Sequence, residues 1–192
     1  AELLYFDGQY LRATREYEVV LDTGEYEING INLFSRMADC ALQSGNYSDA
    51  IQLFDEISED EMISDDFFKK AIAYEKNDLT QEAIKIMTTL LSKDPDFIQG
   101  YFYLQSLYEN EKNYPDAIET GKEGLRLNQF YKELMVSTGS LEIEHGDANE
   151  GVELLKKALE VDNAYHEPLL ILSDLFRQEE DYEAIISLLS YV

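Results

Sequence analysis

The chain has 192 residues, of which 40 are acidic and 15 basic, giving a net charge of −25. Such a surface repels phosphate backbones and anionic lipid headgroups, which disfavours nucleic-acid and membrane-surface partners. Hydrophobic residues make up 45% of the chain, with 14 Tyr and 9 Phe, so the composition is that of a folded protein. No apolar run approaches the roughly 20 residues of a membrane-spanning helix. The charge is spread evenly along the chain, and the first interpretation is that it keeps the protein soluble. The second is that it steers a basic partner towards the surface.

The first elements in chain order form an incomplete helix pair. Residues 1–7 are expected to be the remainder of a first helix, and a second helix follows from Gly8, with Ala13 and Tyr17 on its apolar face. The connection over residues 21–30 is about three residues longer than those that follow. It leads into the first complete helix pair.

A turn followed by a small residue then recurs along the chain. The best copy is Lys112-Asn113-Tyr114-Pro115-Asp116-Ala117-Ile118. The small residues of the five copies are spaced 33, 34, 34 and 33 residues apart: Ala50, Ala83, Ala117, Gly151 and Ala184. A constant period of this length is typical of repeat proteins in which each repeat is one supersecondary unit.

Each repeat carries two apolar patterns with helical spacing. In the third full repeat, Tyr101, Leu104 and Tyr108 lie on one face of a first helix, and the second helix opens at the turn. Gly121 and Gly124 interrupt that second helix, which predicts a close helix crossing because a helical glycine costs about 1 kcal/mol relative to alanine. The three prolines, Pro95, Pro115 and Pro168, lie between repeats or in the first turn of a predicted helix, where proline is tolerated. We find no alternation typical of strands, so the predicted fold is all-α.

These patterns resemble the tetratricopeptide repeat (TPR). The residues that carry the resemblance are Phe67, Ala71 and Tyr74 with Ala83-Ile84 and Asp94-Pro95, and Tyr101, Leu104 and Tyr108 with Asn113-Tyr114 and Ala117-Ile118. The chain is also similar to acidic multi-TPR proteins of Gram-positive bacteria. The resemblance covers residues 1–192 as a single solenoid, with a partial repeat over 1–30 and full repeats over about 31–63, 64–97, 98–131, 132–165 and 166–192.

Membership in this family implies a right-handed superhelix of antiparallel helix pairs, with first helices lining a concave groove that holds extended peptides or partner helices. The chaperone-binding members grip a carboxylate with Lys, Asn and Arg. At the corresponding positions this chain has Asn32, Ser35, Arg36 and Asp39 in one repeat and Asp65, Phe68, Lys69 and Ile72 in the next. Since no repeat assembles the clamp, binding of a chaperone tail is disfavoured.

The predicted partner-binding residues face the groove at equivalent positions of successive repeats. They are Phe68, Ile72, Phe102, Ser106, Val136, Ser140, Leu170 and Asp174. Phe68, Phe102, Val136 and Leu170 recur every 34 residues and are expected to form a hydrophobic strip, since apolar anchors are the usual energetic centre of an interface. The alternative is that these four side chains pack against a neighbouring helix.

No pattern predicts catalysis, a cofactor or a metal. His145 and His166 lack further ligands at metal-site spacing and are expected to be solvated or to lie at helix ends. The segment 147–158 fails as a calcium loop, because its glycine is misplaced and Ala158 stands where the bidentate Glu should be. The acidic stretch 55–66 is expected to be a solvated turn, with a docking patch for a basic segment or weak divalent-ion binding as alternatives.

The sequence therefore predicts a non-catalytic scaffold that binds a protein or peptide, with a basic partner as one expectation and neither nucleic acid nor membrane as a target. The alternative is a self-associating module whose apolar terminal helices make a homo-oligomer. Cys40 is the sole cysteine, so no intrachain disulfide can form, and a reducing, cytoplasmic setting is expected. The apolar last helix has no polar capping helix after it, which predicts either a piece of a longer solenoid or an end that packs against another molecule.

Overall fold

The structure is a computed structural model that describes residues 1–191. Within these residues the chain forms twelve α-helices and one short hairpin: α1 Glu2–Phe6, α2 Tyr10–Leu21, β1 Glu27–Ile28, β2 Ile31–Asn32, α3 Leu33–Gln43, α4 Tyr47–Asp55, α5 Ser64–Lys76, α6 Thr80–Lys93, α7 Ile98–Asn110, α8 Tyr114–Leu127, α9 Lys132–His145, α10 Ala148–Val161, α11 His166–Gln178 and α12 Tyr182–Ser187. A 3-10 helix over Leu188–Tyr191 follows α12. The predicted fold class, all-α with tandem helix pairs, is confirmed.

The helices pack as consecutive pairs, from α1 with α2 to α11 with α12. The contacts divide the chain into two compact units: unit 1 is Ala1–Pro95, and unit 2 begins at Asp96. In unit 1 the core joins Ala13 and Tyr17 of α2 to Leu33, Met37 and Cys40 of α3. In unit 2 it joins α9, α10 and α11 through Met135, Leu155 and Leu172, among others.

The repeated turns have a common backbone conformation. Gly45, Asp78, Lys112 and Glu180, which precede the second helix of their pairs, all take positive φ, between 58° and 76°. This left-handed conformation is free of strain for glycine but costs roughly 1 kcal/mol for other residues. Three non-glycine residues therefore hold a conformation that the surrounding helix pair imposes.

The turn between α9 and α10 is different because Glu142 supports it. Gly146 has a φ of −133°, and the Glu142 carboxylate accepts a hydrogen bond from the Asp147 N–H at 2.7 Å. Glu142 is only 2% exposed, and it is paired with Lys122 of α8 at 2.5 Å. A buried carboxylate therefore stands where the TPR pattern of the first helix normally has a tyrosine.

The long connection after α2 folds into the hairpin, which was not predicted. Ile28 pairs with Ile31 across an Asn29-Gly30 turn in which both residues have positive φ. Asn-Gly is the strongest sequence signal for a two-residue hairpin because both residues tolerate positive φ. The Asn32 side chain then accepts hydrogen bonds from the N–H groups of Phe34 and Ser35, which starts α3.

The glycines of α8 confirm the predicted close crossing. A Cβ at Gly124 would lie 2.6 Å from Leu134 of α9 and 2.8 Å from Tyr101 of α7. A Cβ at Gly121 would lie 2.1 Å from Thr138 Oγ1 and 2.4 Å from Gln105 Nε2. Gln105 and Thr138 have no exposed surface, and Gln105 donates a 2.9 Å hydrogen bond to Thr138. Gly121 makes room for this bond.

We therefore expect Gly121→Ala to lower the free energy of unfolding by about 1–3 kcal/mol, because the loss from overpacking and the broken hydrogen bond exceeds the helix-propensity gain of about 1 kcal/mol. Urea denaturation monitored by circular dichroism measures the change. Thr138→Ala removes the colliding hydroxyl, so the double variant should lose less than the sum of the two single variants. Additive losses would show that Gly121 and Thr138 are not coupled.

Candidate interaction surfaces

The predicted site residues of unit 1 lie in an apolar depression. Phe68 and Ile72 of α5 are half-buried. With Leu42 of α3 and Tyr47 of α4 they line a hollow of about 350 Å³, whose polar rim includes Asp65 and Lys69. The hollow has the apolar floor and sparse polar groups that suit one apolar side chain of a peptide.

A polar network lies beside this depression and crosses from α1 to α5. Tyr5 of α1 donates a hydrogen bond to Asp39 of α3. Lys69 of α5 lies 2.9 Å from Asp39 and 2.8 Å from Asp65. The Asp39 side chain is 3% exposed, so this carboxylate is buried and has both a hydroxyl and an ammonium partner. The network holds the first helices of unit 1 in a fixed relation.

Hydrogen bonding sets the pKa values in this network. Burial alone would raise the pKa of Asp39, but the hydrogen bonds from Tyr5 and Lys69 outweigh it and lower the pKa below its ordinary 3.8. Burial and the hydrogen bond to Asp39 raise the pKa of Tyr5 to about 12. Burial would lower the pKa of Lys69, but its two carboxylate partners raise it above 10.5. Asp39 is therefore ionised and Lys69 protonated in the neutral range, while Tyr5 keeps its phenolic proton.

A second depression, of about 480 Å³, adjoins the first and shares Asp65 and Lys69 with it. The hairpin forms one wall through Glu27, Gly30 and Ile31, and α3, α5 and the segment before α5 form most of the remainder. The charged residues that line it are Glu27, Arg36, Asp39, Glu61, Asp65, Asp66 and Lys69. Acidic groups therefore outnumber basic ones here by five to two.

Both basic groups of this depression already have acidic partners. Lys69 pairs with Asp39 and Asp65, and Arg36 lies 3.3 Å from Glu2 with its guanidinium 4.6 Å from the centre of the Tyr5 ring. Asp66 is buried and accepts a hydrogen bond from the Ser35 hydroxyl. Arg36 and Lys69 are thus engaged within the chain.

In unit 2 the predicted site residues differ widely in exposure. Phe102 is half-buried, with its ring centre 5.9 Å from that of Tyr131. Leu170 is 66% exposed, whereas Val136 is 4% exposed. Val136 belongs to the core of unit 2, so it offers almost no surface to a partner. For Val136 the structure favours the alternative of packing within the helix array, because it is buried in a core cluster to which α9, α10 and α11 contribute.

The polar site residues of unit 2 are held by local contacts. Ser106 donates to the Tyr103 carbonyl at 2.7 Å, and Asp174 pairs with Arg177 at 2.5 Å on the exposed face of α11. Ser140 is half-buried. None of these contacts removes Ser106, Asp174 or Ser140 from the surface.

The remaining candidates take structural positions. His145 stacks on Tyr114, with ring centres 3.5 Å apart and an interplanar angle of 10°. In the acidic stretch, Asp55 pairs with Lys70 at 2.7 Å and Glu59 with Lys93 at 2.9 Å. Among residues 1–191, no group of three or more His, Cys, Asp or Glu side chains could hold a metal ion.

Sequence reasoning missed the network around Asp39, although Asp39 and Lys69 both stood among the predicted inward positions. The available signal was their separation of 30 residues, slightly less than one repeat, which places them on neighbouring first helices.

None of the helices described in residues 1–191 is long and apolar enough to span a lipid bilayer.

Comparison with known proteins agrees with this architecture. Residues 67–96 match the family model described as the tetratricopeptide repeat. These residues therefore carry a tetratricopeptide repeat. It is also 30% identical over 191 residues to the TPR repeat-containing protein YpiA of Bacillus subtilis strain 168. The alignment covers the whole of this chain and 45% of YpiA, so the chain spans less than half the length of that relative.

Several solved TPR structures have the same fold. The crystal structure of MamA superposes with a TM-score of 0.74 at 20% identity, covering 84% of this chain and 93% of MamA. The C-terminal part of a TPR repeat-containing protein from Cytophaga hutchinsonii gives a TM-score of 0.78 at 16% identity, over 98% of this chain and 78% of the other. YrrB, described as a TPR protein with an unusual peptide-binding site, gives 0.70 at 14% identity, over 88% and 87%. These likenesses show the fold, and the predicted similarity to Gram-positive TPR proteins is confirmed through YpiA.

We expect Asp39→Asn to lower the free energy of unfolding at pH 7 by about 2 kcal/mol, because it removes the charge that Tyr5 and Lys69 stabilise. The folded-state pKa of Asp39 is lowered, so its contribution is complete above about pH 4 and is lost as the pH falls through that pKa. The variant should therefore lose less stability than the wild type between about pH 4 and pH 2.

Urea unfolding at a series of pH values measures both effects. Asp60→Asn, in the exposed turn after α4, is the matched control and should leave the acid dependence unchanged. Equal acid dependence in wild type and Asp39→Asn would show that the pairing of Asp39 contributes nothing to stability.

Proposed function

We propose that this chain is a protein-interaction scaffold and that unit 1 binds an extended peptide across the face formed by α3 and α5. An apolar side chain of the peptide enters the hollow lined by Phe68 and Ile72. A basic side chain next to it enters the acidic depression beside the hairpin.

The observation that carries this proposal is that the two depressions adjoin through Asp65 and Lys69 and have opposite character. An apolar pocket beside an acidic one selects a peptide that has an apolar residue next to a basic one, since apolar contacts supply affinity and charges supply specificity. Arg36 and Lys69 have carboxylate partners, so Glu27 and Glu61 at the exposed rim are the groups that a basic residue would meet. The description of YrrB as a peptide-binding TPR protein is in keeping with this assignment.

Unit 2 offers further contact points at Phe102, Ser106, Ser140, Leu170 and Asp174. Leu170 is the strongest of these because its apolar side chain is exposed. The participation of these five residues in binding stays a prediction.

The peptide proposal is tested with peptides selected from a random phage-displayed library against the purified chain. The selected sequences should share an aromatic or aliphatic residue next to Lys or Arg. Phe68→Ala with Ile72→Ala should weaken binding of such a peptide about tenfold or more, because a filled apolar pocket is lost. Fluorescence anisotropy gives the affinities, and circular dichroism checks that helicity is retained.

The control is Phe130→Ala, which removes an aromatic ring that is 65% exposed outside this face. The double variant Glu27→Lys with Glu61→Lys should also weaken binding of the peptide. The loss should grow as the salt concentration is lowered, since the repulsion between the new lysines and the basic peptide is then less screened. Affinity that survives the Phe68 and Ile72 substitutions, or selected peptides without a basic residue, would refute the proposed mode.

Self-association is the second candidate function. It is favoured by exposed apolar side chains in the first and last helical segments: Leu3 82%, Phe6 72%, Ile186 65% and Leu189 70%. Light scattering should then give a molar mass that rises with concentration and falls for Phe6→Ser with Leu189→Ser. A mass that stays at one chain throughout would exclude this candidate.

A further inference from the structure

A groove on the outer side of unit 1 is separate from the peptide-binding face. It lies between α2 and α4, above α3, and encloses about 500 Å³. Leu11, Phe34, Met37, Ala41 and Leu53 supply its apolar lining. Leu11 is 68% exposed, so part of this apolar surface stands in solvent.

The groove and the acidic depression use different faces of α3. Phe34, Met37 and Ala41 line the groove, whereas Ser35, Arg36 and Asp39 line the depression, and no residue lines both. A helix turns by about 100° per residue, which places these two sets on nearly opposite sides. A partner in the groove therefore leaves the α3–α5 face free.

The charged residues of this groove are all acidic. Its charged lining residues are Glu18 of α2, Asp49 of α4 and Glu56 directly after α4. Among residues 1–191 none of these three carboxylates forms an ion pair with a basic side chain, unlike Asp55 and Asp65 nearby. The groove thus combines an apolar floor with unpaired acidic edges.

The spacing of these acids fits a helical partner. Asp49 and Glu56 are seven residues apart, two helical turns, or about 10 Å along α4. Basic residues at positions i and i+7 of a helix lying alongside α4 have the same separation, and its apolar stripe would face the groove floor.

We propose that the outer groove between α2 and α4 binds an amphipathic helix with an apolar stripe and basic edges. This is a second interaction surface, independent of the peptide site. Through it one chain can hold two partners at once.

The test uses a fluorescein-labelled peptide of about 18 residues, with leucines on one helical face and lysines at both edges. Asp49→Asn with Glu56→Gln should weaken its binding about fivefold, and Leu11→Ser should also weaken it about fivefold, in fluorescence anisotropy. Leu11 is exposed, so its substitution leaves the fold intact. Hydrogen exchange should show protection of α2 and α4 when the peptide is bound.

The matched control is Glu109→Gln with Glu179→Gln, which removes the same charge from exposed positions of unit 2. It should leave the affinity unchanged, as should Phe68→Ala with Ile72→Ala. Equal weakening by the control pair would assign the binding to the net charge of the chain and overturn the proposal. Equal binding of a scrambled peptide, or protection confined to helices other than α2, α3 and α4, would overturn it as well.

Discussion

The close crossing of the two helices within each pair is the constraint on which the other features depend. Ala50, Ala83 and Ala117 have no exposed surface, and a Cβ at Gly151 would lie 2.5 Å from the Gly139 carbonyl oxygen. At these points the side chain of one helix leaves space for the backbone or side chains of the other. Because a larger residue there would push the helices apart, the period of small residues fixes where each pair meets. Positions that face away from the crossing are then free to vary.

Several of the scarce basic residues link separate elements. In unit 1, Lys69 joins α5 to α3 and Lys70 joins α5 to α4. In unit 2, Lys122 of α8 contacts Glu142 of α9 and Glu150 of α10. With 15 basic residues against 40 acidic ones, bases used in this way cannot neutralise the outer surface. The acidic character of the grooves thus follows from where the chain places its few cations.

The helix order could be predicted from the sequence because small residues and turns recur with a constant period, and local patterns of this kind survive in the fold. The hairpin over residues 27–32 was not predicted although Asn29-Gly30 is visible, because its strands have only two residues each and show no alternation. The site was harder to predict. Equivalent positions of successive repeats look alike in sequence, but Val136 is buried in the core of unit 2 whereas Leu170 is exposed. Exposure depends on the size of residues in other helices, and no repeat pattern contains that information.

The buried hydrogen bond between Gln105 and Thr138 has a consequence for how unit 2 opens. In a repeat protein each pair contacts only its neighbours, so stability is approximately a sum over repeats and an array can unzip from one end. This bond passes beside Gly121 and joins α7 to α9, the first helices of two successive pairs. If one of these pairs opens, a polar group that is fully buried in the other loses its partner, which is unfavourable. Opening one pair alone is therefore less favourable than opening both together. The bond makes the two pairs a single cooperative unit within an otherwise modular array.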